Sequence, residues 1–458
     1  MALAKDELEL LQEHQSDLSG SRNADEEMLA FYRGTYNLEH IGIAVPEVMQ
    51  YFAVKPNWGR VYANAKDDRM QVRSIILPGE EQVDDRMLLI MERSKLDTQV
   101  SKFNIDRMTF GRGHLVMGRI RPRRENDGDG PVVVWSASPM GMSTFVDSDG
   151  FEESAAQFSK KRDGTECATL YLPDSTLYLE MGTKDWEVVD RDNHNLGVVP
   201  VVTHFNRAMS DRSVFESELT DIMPITHAAA RALTILQLAQ DTVGAPFKYI
   251  SKVDKGFKDE GIPELKLYLN AINVFEGDAV LGQLDPANLA NFTHALKVYG
   301  EQMMAITGLP GKYWGITTSN PQSEGAIIES ENQFVRDVES DCEQLGETIG
   351  RAFEVAWRIE TGQELDFAPN VEWHDPATPT VAQRADAMMK LHSVGALAIE
   401  GIWDELGWSE AKKKKQRAYL EDERALSVDP TLGMFANMGL PAFQAEPDAE
   451  PLRAQPVG

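Results

Sequence analysis

Between Pro321 and Pro369 the chain carries no proline, and its apolar residues keep to one helix face. Ile327, Phe334, Val338, Cys342, Leu345, Ile349, Phe353 and Trp357 follow at steps of three, four or seven, the period at which side chains stack on one side of an α-helix. Glu324, Glu329, Glu331, Arg336, Asp337, Glu339, Asp341, Glu343 and Glu347 lie between them. Asn320-Pro321 reads as a helix cap followed by proline at the first helical position. Roughly 37 helical residues would reach about 55 Å. A strut crossing a whole subunit explains that length better than a packing element within one small domain.

The rest of the chain divides by period. Helical patterns cover residues 1–35, with a break expected near Ser19-Gly20-Ser21, then 41–67 and 81–104. From about 111 to 200 the period becomes two, which predicts strands over 114–119, 132–136, 143–146, 151–158, 168–172, 176–181 and 186–189. The turns between them are rich in Asp and Gly, as at Asp147-Ser148-Asp149-Gly150. The pattern reads as one antiparallel sheet of hairpins. The Asp-rich turns lack the spacing and distal glutamate of a calcium loop, and Asp and Gly are what tight turns want. An alanine-rich helix follows over 224–241, short strands over 247–253, 265–269 and 271–275, and a second helix from 285 to 306. Beyond Pro376 helices are expected over 381–391, 399–406 and 410–426. Five prolines and few aromatics make 427–458 a loose tail.

Composition narrows the function. With 45 basic against 73 acidic residues the net charge is −28. Affinity for duplex DNA comes largely from phosphate neutralisation, so this chain is no repressor or histone-like scaffold. A conduit is another matter, because an acidic wall repels DNA and offers it no sticking points. Solubility alone would also account for the acidity. No run of eighteen apolar residues exists, so no membrane span is expected, and the N-terminus does not read as a secretory signal. Cys167 and Cys342 form no disulfide framework, and Cys342 falls on the apolar face of the long helix. No phosphate-binding loop, His-Glu-x-x-His, Cys-x-x-Cys or Gly-x-Ser-x-Gly motif occurs. The reading therefore names no catalytic residue, metal ligand or cofactor.

One loop stands out: Gly308-Leu309-Pro310-Gly311-Lys312-Tyr313-Trp314-Gly315, followed by Asn320-Pro321-Gln322-Ser323 and the long helix. This ordered set resembles the core of portal proteins, the head–tail connectors of tailed bacteriophages, and the variant is similar to those of actinobacterial phages. Val199-Pro200-Val201-Val202, Asp221-Ile222-Met223-Pro224 and Trp373-His374-Asp375-Pro376 match in the same order. The resemblance covers about residues 27–426. It implies an α+β portal fold: a mixed α/β wing over 1–223, a first stem helix over 224–241, a small β-containing clip over 242–286 and a second stem helix over 287–306. A tunnel loop over 307–323, a long kinked helix returning to the wing over 324–375 and a helical crown over 376–426 complete it.

The resemblance further implies a dodecameric ring at one capsid vertex, through which double-stranded DNA is packaged and ejected. The partners would be the large terminase subunit, major capsid and scaffolding proteins and a head–tail adaptor, with assembly in the host cytoplasm. The clip residues Lys252, Lys255, Lys258, Asp259 and Glu260 would meet terminase or adaptor. Thr317, Thr318, Ser319, Asn320, Gln322 and Ser323 would offer hydroxyls and amides to passing phosphates. Lys312 is the nearby cation, either a DNA contact or a salt-bridged surface lysine. Tyr313 and Trp314 could stack on DNA or anchor the loop. Lys412-Lys413-Lys414-Lys415 could meet DNA or form a solvated face. A metal-dependent DNA-processing enzyme and a minor capsid or adaptor protein without a channel are the alternatives.

Overall fold

The computed structural model describes residues 3–38, 53–80, 82–120, 130–183, 185–207, 215–244, 248–251, 280–283, 289–316, 324–377, 381–406, 413 and 415–420. They belong to two units, Met1–Thr378 and Pro379–Gly458. Helix α1 spans Lys5–Arg33 and ends on Gly34 at φ 72°. The expected break at Gly20 is absent. A helical glycine costs only about 1 kcal/mol relative to alanine, and both ends of α1 are fastened. Arg112 grips Asp25 through two bonds of 3.1 and 2.7 Å, and Leu11 and Phe31 are buried. Helix α2 spans Trp58–Asp67, beginning just after Pro56, a residue that disfavours helix immediately before it. The expected helical stretch 41–52 lies outside the described residues.

Strand β1 (Val72–Ile76) precedes α3 (Asp85–Ser94) and α4 (Leu96–Phe110). Where the period predicts one helix over 81–104, Lys95 takes φ 54° and splits it. No glycine marks that left-handed residue, so the sequence does not announce the break. Strands β2 (Arg112–Arg119), β3 (Val132–Ala137), β4 (Met142–Val146), β5 (Glu152–Lys160), β6 (Glu166–Tyr171), β7 (Thr176–Met181), β8 (Trp186–Asp192) and β9 (Val201–Phe205) follow. They form two sheets, not one, in the orders β3-β2-β9 and β4-β5-β6-β7-β8. Strand β9 escapes the period-two reading because Val201 to His204 are buried throughout, and a strand covered on both faces loses its alternation. The Asp147 turn uses its own carboxylate: Oδ1 accepts from the backbone N–H of Asp149 at 2.9 Å and of Phe151 at 2.8 Å.

Alternation then stacks the layers. On β2, Leu115 and Met117 join Val100, Phe103, Val132, Val134, Phe353 and Ile349 in the main core, whereas Val116 packs with Met142, Ala155 and Tyr171 of the second sheet. The far face of that second sheet, Ala156, Ala168, Leu170, Leu177 and Leu179, receives Leu11 of α1. Helices, three-stranded sheet and five-stranded sheet thus lie in sequence, with the N-terminal part of α1 on the last face and its C-terminal end, through Phe31, back in the main core beside α2 and α4. Next in the chain come α5 (Met223–Gly244), the paired β10 (Lys248–Ser251) and β11 (Val280–Gln283), and α6 (Ala290–Thr307). The expected strands 265–269 and 271–275 lie outside the described residues. Helix α7 runs unbroken for 38 residues, Glu324–Thr361, and β12 (Asn370–Trp373) returns to pair with β1. The second unit holds α8 (Val381–Ser393) and α9 (Ile399–Glu405). Lys413 and Lys415 are helical, and Lys412, Lys414 and 427–458 lie outside the described residues.

Three buried histidines make the first unit sensitive to acid. His14 is held between Ser143 Oγ (2.9 Å) and Ser154 Oγ (3.0 Å), and Ser143 donates to Asp17 at 2.7 Å. Burial pushes its pKa down to about 4, against the pull of Asp17. Burial, then Arg112, takes His114 to about 3; burial, then Arg107, does the same for His204. These groups stay neutral in the native state, while an unfolded histidine titrates near 6.5. Their contribution is complete above that pH and is lost as pH falls toward 4, because the unfolded chain takes up protons that the native chain refuses. Asp106, whose carboxyl burial pushes up to about 7, works the other way and offsets about one of the three. Asp67, Glu152, Asp337 and Glu354, whose carboxyls burial also raises, offset a further part, so the net loss between pH 6 and 4 falls below the roughly 3 kcal/mol per unit that two unopposed histidines would give. The urea midpoint is expected to drop from pH 7 to 5; an unchanged midpoint contradicts this assignment.

Candidate functional site

The segment 317–323 is flanked by two anchored ends. On its N-terminal side α6 stops at Gly308, φ 66°, where a Cβ would stand 3.3 Å from the Phe334 backbone nitrogen of α7. Glycine is needed there for its conformation and because the long helix passes so close. Leu309 is fully buried, and the 3₁₀ turn Gly311–Trp314 folds back so that Trp314 Nε1 donates to the Leu309 carbonyl at 3.2 Å. Trp314 meets Trp58 of α2 edge-on at 5.7 Å and Tyr313 packs on the core. Of the two roles open to these aromatics, the described geometry is that of anchors.

On the C-terminal side, Glu331 of α7 is only 4% exposed. Its Oε1 accepts from Lys312 Nζ at 2.8 Å and its Oε2 from Arg69 Nη2 at 3.0 Å. The Arg69 guanidinium also lies 5.0 Å over the Phe334 ring. One buried carboxylate therefore ties together the turn before the segment, the helix after it and the α2–β1 connection. Lys312 remains 57% exposed at its side chain, an ion-paired surface lysine in this structure. Thr317, Thr318, Ser319, Asn320, Gln322 and Ser323 lie outside the described residues, as do Lys252, Lys255, Lys258, Asp259 and Glu260.

A second ionic cluster fixes the middle of α7. Arg107 of α4 is 1% exposed. It donates to Glu218 Oε1 at 2.8 Å, to Asp341 Oδ2 at 2.6 Å and to Asn206 Oδ1 at 2.7 Å. Lys66 of α2 bonds Glu218 at 2.8 Å and Asp341 at 2.7 Å, and the Tyr62 hydroxyl donates to Glu218 at 2.9 Å. Two cations thus face two anions. Burial works against the Glu218 carboxylate, yet Lys66 and Arg107 hold it down at about 2. Burial, with Glu218 alongside, raises the Tyr62 hydroxyl well above its ordinary range. Further along α7, Thr348 pairs with His204 at 2.9 Å, Arg351 with Glu152 at 2.6 Å, and Arg119 donates to the Ile359 carbonyl at 2.8 Å. Cys342 is buried, and burial pushes its thiol up to about 12.

The periodicity located α7 but missed Glu331, Arg69, Lys66, Arg107 and Glu218 as its fastenings. In the sequence Glu331 and Asp341 are two among many acidic residues between the apolar positions; only the fold shows that they point inward. Among the described residues the arrangement offers rigidity. Among the described residues no group of three metal-ligating side chains comes together, and no described helix is long and apolar enough to cross a membrane.

No protein-family model matches the chain. It is 29% identical over 456 residues to the portal protein of Mycobacterium phage D29, covering 95% of this chain and 91% of that protein. It is 28% identical over 445 residues to the portal protein of Mycobacterium phage L5, covering 92% of this chain and 91% of that one. A chain from the virion of a native gene transfer agent particle superposes at a TM-score of 0.46 with 12% identity, over 84% of this chain and 93% of its own length. Two relatives aligned over more than nine tenths of the sequence carry the comparison: along its whole length the chain is similar to the portal proteins of two mycobacteriophages.

Proposed function

We propose that copies of this chain form a closed ring, dodecameric, at one vertex of the capsid, and that double-stranded DNA passes through its bore during packaging and ejection. The observation that carries the reading is the α5–α6 hairpin. In α5 the charged residues are Arg231 and Asp241, and in α6 they are Lys297 and Glu301, which lie 3.8 Å apart in one helix. The two helices pack on each other, yet Val298 and Ile306 stay 40% and 45% exposed, and Leu233, Ile235, Leu236 and Leu238 are half-buried. A hairpin apolar on its outer sides needs a further cover. Neighbouring copies about a rotation axis supply one without leaving an open end.

In this reading α7 is the rigid strut that carries 317–323 toward the bore. The latch at Glu331 sets the angle at which that segment leaves the subunit. Uncharged hydroxyls and amides, in a chain of net charge −28, give passing phosphates shallow contacts that do not arrest sliding. The stretch 242–286, with Lys252, Lys255, Lys258, Asp259 and Glu260, docks the large terminase subunit and later a head–tail adaptor. Major capsid and scaffolding proteins surround the ring as it assembles in the host cytoplasm. The subunit needs no cofactor and hydrolyses nothing; the work comes from the terminase. Negative-stain imaging of the purified chain is expected to show rings with a central hole. A strictly monomeric species, both at high concentration and in capsid extracts, contradicts the proposal.

A further inference from the structure

Both edges of the three-stranded sheet are closed by side chains. At the β3 edge, Ser94 Oγ at the end of α3 accepts from Val134 N at 2.9 Å, and Gln99 Oε1 accepts from Ser136 N at 3.1 Å. At the β9 edge, Glu152 Oε1 accepts from Thr203 N at 2.8 Å, and its other oxygen is held by Arg351 at 2.6 Å. Strand addition at either edge is therefore blocked, and contact with another molecule there must be made by side chains.

Each edge carries a surface shaped for that. Beyond β9 a cavity of about 760 Å³ opens between the strand, the turn before β5 and the last turns of α7. Phe151 stands at it 60% exposed, with the Arg351 guanidinium 5.2 Å over its ring. Helix α7 lines it with Arg351, Glu354 and Arg358. Arg351 and Arg358 already hold Glu152 and Glu364, but a guanidinium has five donors and keeps some for a visitor. Burial, tempered by Arg351 and Arg358, raises the Glu354 carboxyl above its ordinary value. Beyond β3, α3 presents Leu88 and Leu89, each 44% exposed. Asp85, Leu88 and Glu92 form one exposed stripe, and Arg86, Leu89 and Arg93 form the next.

The stripes match in sign and spacing. Asp85 and Glu92 are seven residues apart, as are Arg351 and Arg358, so each pair spans about 10.5 Å along its helix. Arg86 falls beside the line that would meet Glu354, while Arg93 pairs with Glu360 of its own chain at 3.7 Å. We propose that α3 of one copy lies in the β9-edge cavity of the next, with Leu88 and Leu89 against Phe151 and the acidic stripe against Arg351 and Arg358. The two surfaces sit at opposite edges of one sheet, about 10 Å apart across three strands. The contact is thus heterologous and repeats head to tail, as a ring requires. This rests on the ring reading above and adds the wing surface that joins neighbours.

Cysteine cross-linking tests it. Leu88→Cys and Phe151→Cys are introduced, singly and together, into a Cys167→Ser chain; Cys342 stays, buried and with a raised thiol pKa that keeps it unreactive. A short bismaleimide is added to the assembled chain, and circular dichroism confirms the fold of each variant. The chain carrying both cysteines is expected to lose its monomer band on a denaturing gel to a ladder of covalent multimers. Mixed single variants should give covalent dimers, and neither single variant alone should give any. If visible rings of the double variant run only as monomers, or if Leu88→Cys alone cross-links to itself, the surface is wrong while the ring stands. If the parent chain never forms rings, both readings fall together.

Discussion

Arg107→Met is expected to lower the stability of the first unit by about 3–5 kcal/mol, the cost of stranding buried charges when one partner of an internal ion pair is removed. The size follows from the bonding. Arg107 supplies donors to Glu218, Asp341 and Asn206 at once, and it joins α4, the α5 approach and α7. Without it Glu218 and Asp341 share one cation, Lys66, and Glu218 keeps the Tyr62 hydroxyl as a neutral donor. The double variant Arg107→Met/Glu218→Gln removes the stranded anion as well and is expected to be more stable than the single one. Urea unfolding followed by tryptophan fluorescence reads both. A single variant within about 1 kcal/mol of the parent, in the range of an exposed ion pair, would show that the cluster does not hold the strut.

Glu331→Ala is expected to have the largest functional effect. It removes the one carboxylate that Lys312 and Arg69 share at the base of 317–323. Arg69, only 9% exposed at its side chain, loses its buried anion, a change worth about 2–4 kcal/mol on the scale of broken internal pairs. If the proposed ring reading holds, rings are expected to assemble while the yield of DNA-filled capsids falls, because the turn before the segment and the helix after it are no longer tied to one carboxylate. Lys312→Met breaks only the exposed arm of the latch, worth about 0–1 kcal/mol, and is expected to leave filling near the parental level. If Lys312→Met stops filling and Glu331→Ala does not, the lysine acts on DNA and the latch is incidental.

How much of this could be read beforehand varies by element. Helix α7 was legible because eight apolar residues keep one period with no proline to interrupt them, and that periodic signal survives any tertiary context. The hairpin strands were legible from alternation and Asp-Gly turns. Their division into two sheets was not, since period two says which residues share a face and nothing about which strand lies alongside. Strand β9 hid because burial on both faces erased its alternation, and the α3–α4 break hid because Lys95 adopts a conformation usually given to glycine. The fastenings Arg107–Glu218 and Arg69–Glu331 join residues 111 and 262 positions apart. No local pattern encodes such a pairing; it emerges only when the sheets and helices have been placed.

The proposed channel requires 317–323 to leave each subunit toward a common axis. A cryo-electron microscopy map of the assembled ring, detailed enough to trace the chain beyond Ile316, tests it most directly. The account predicts those residues at the narrowest part of the bore, one set per subunit, with Glu331 gripping Arg69 behind them. A map in which they pack within their own subunit or face the outside of the ring would contradict it.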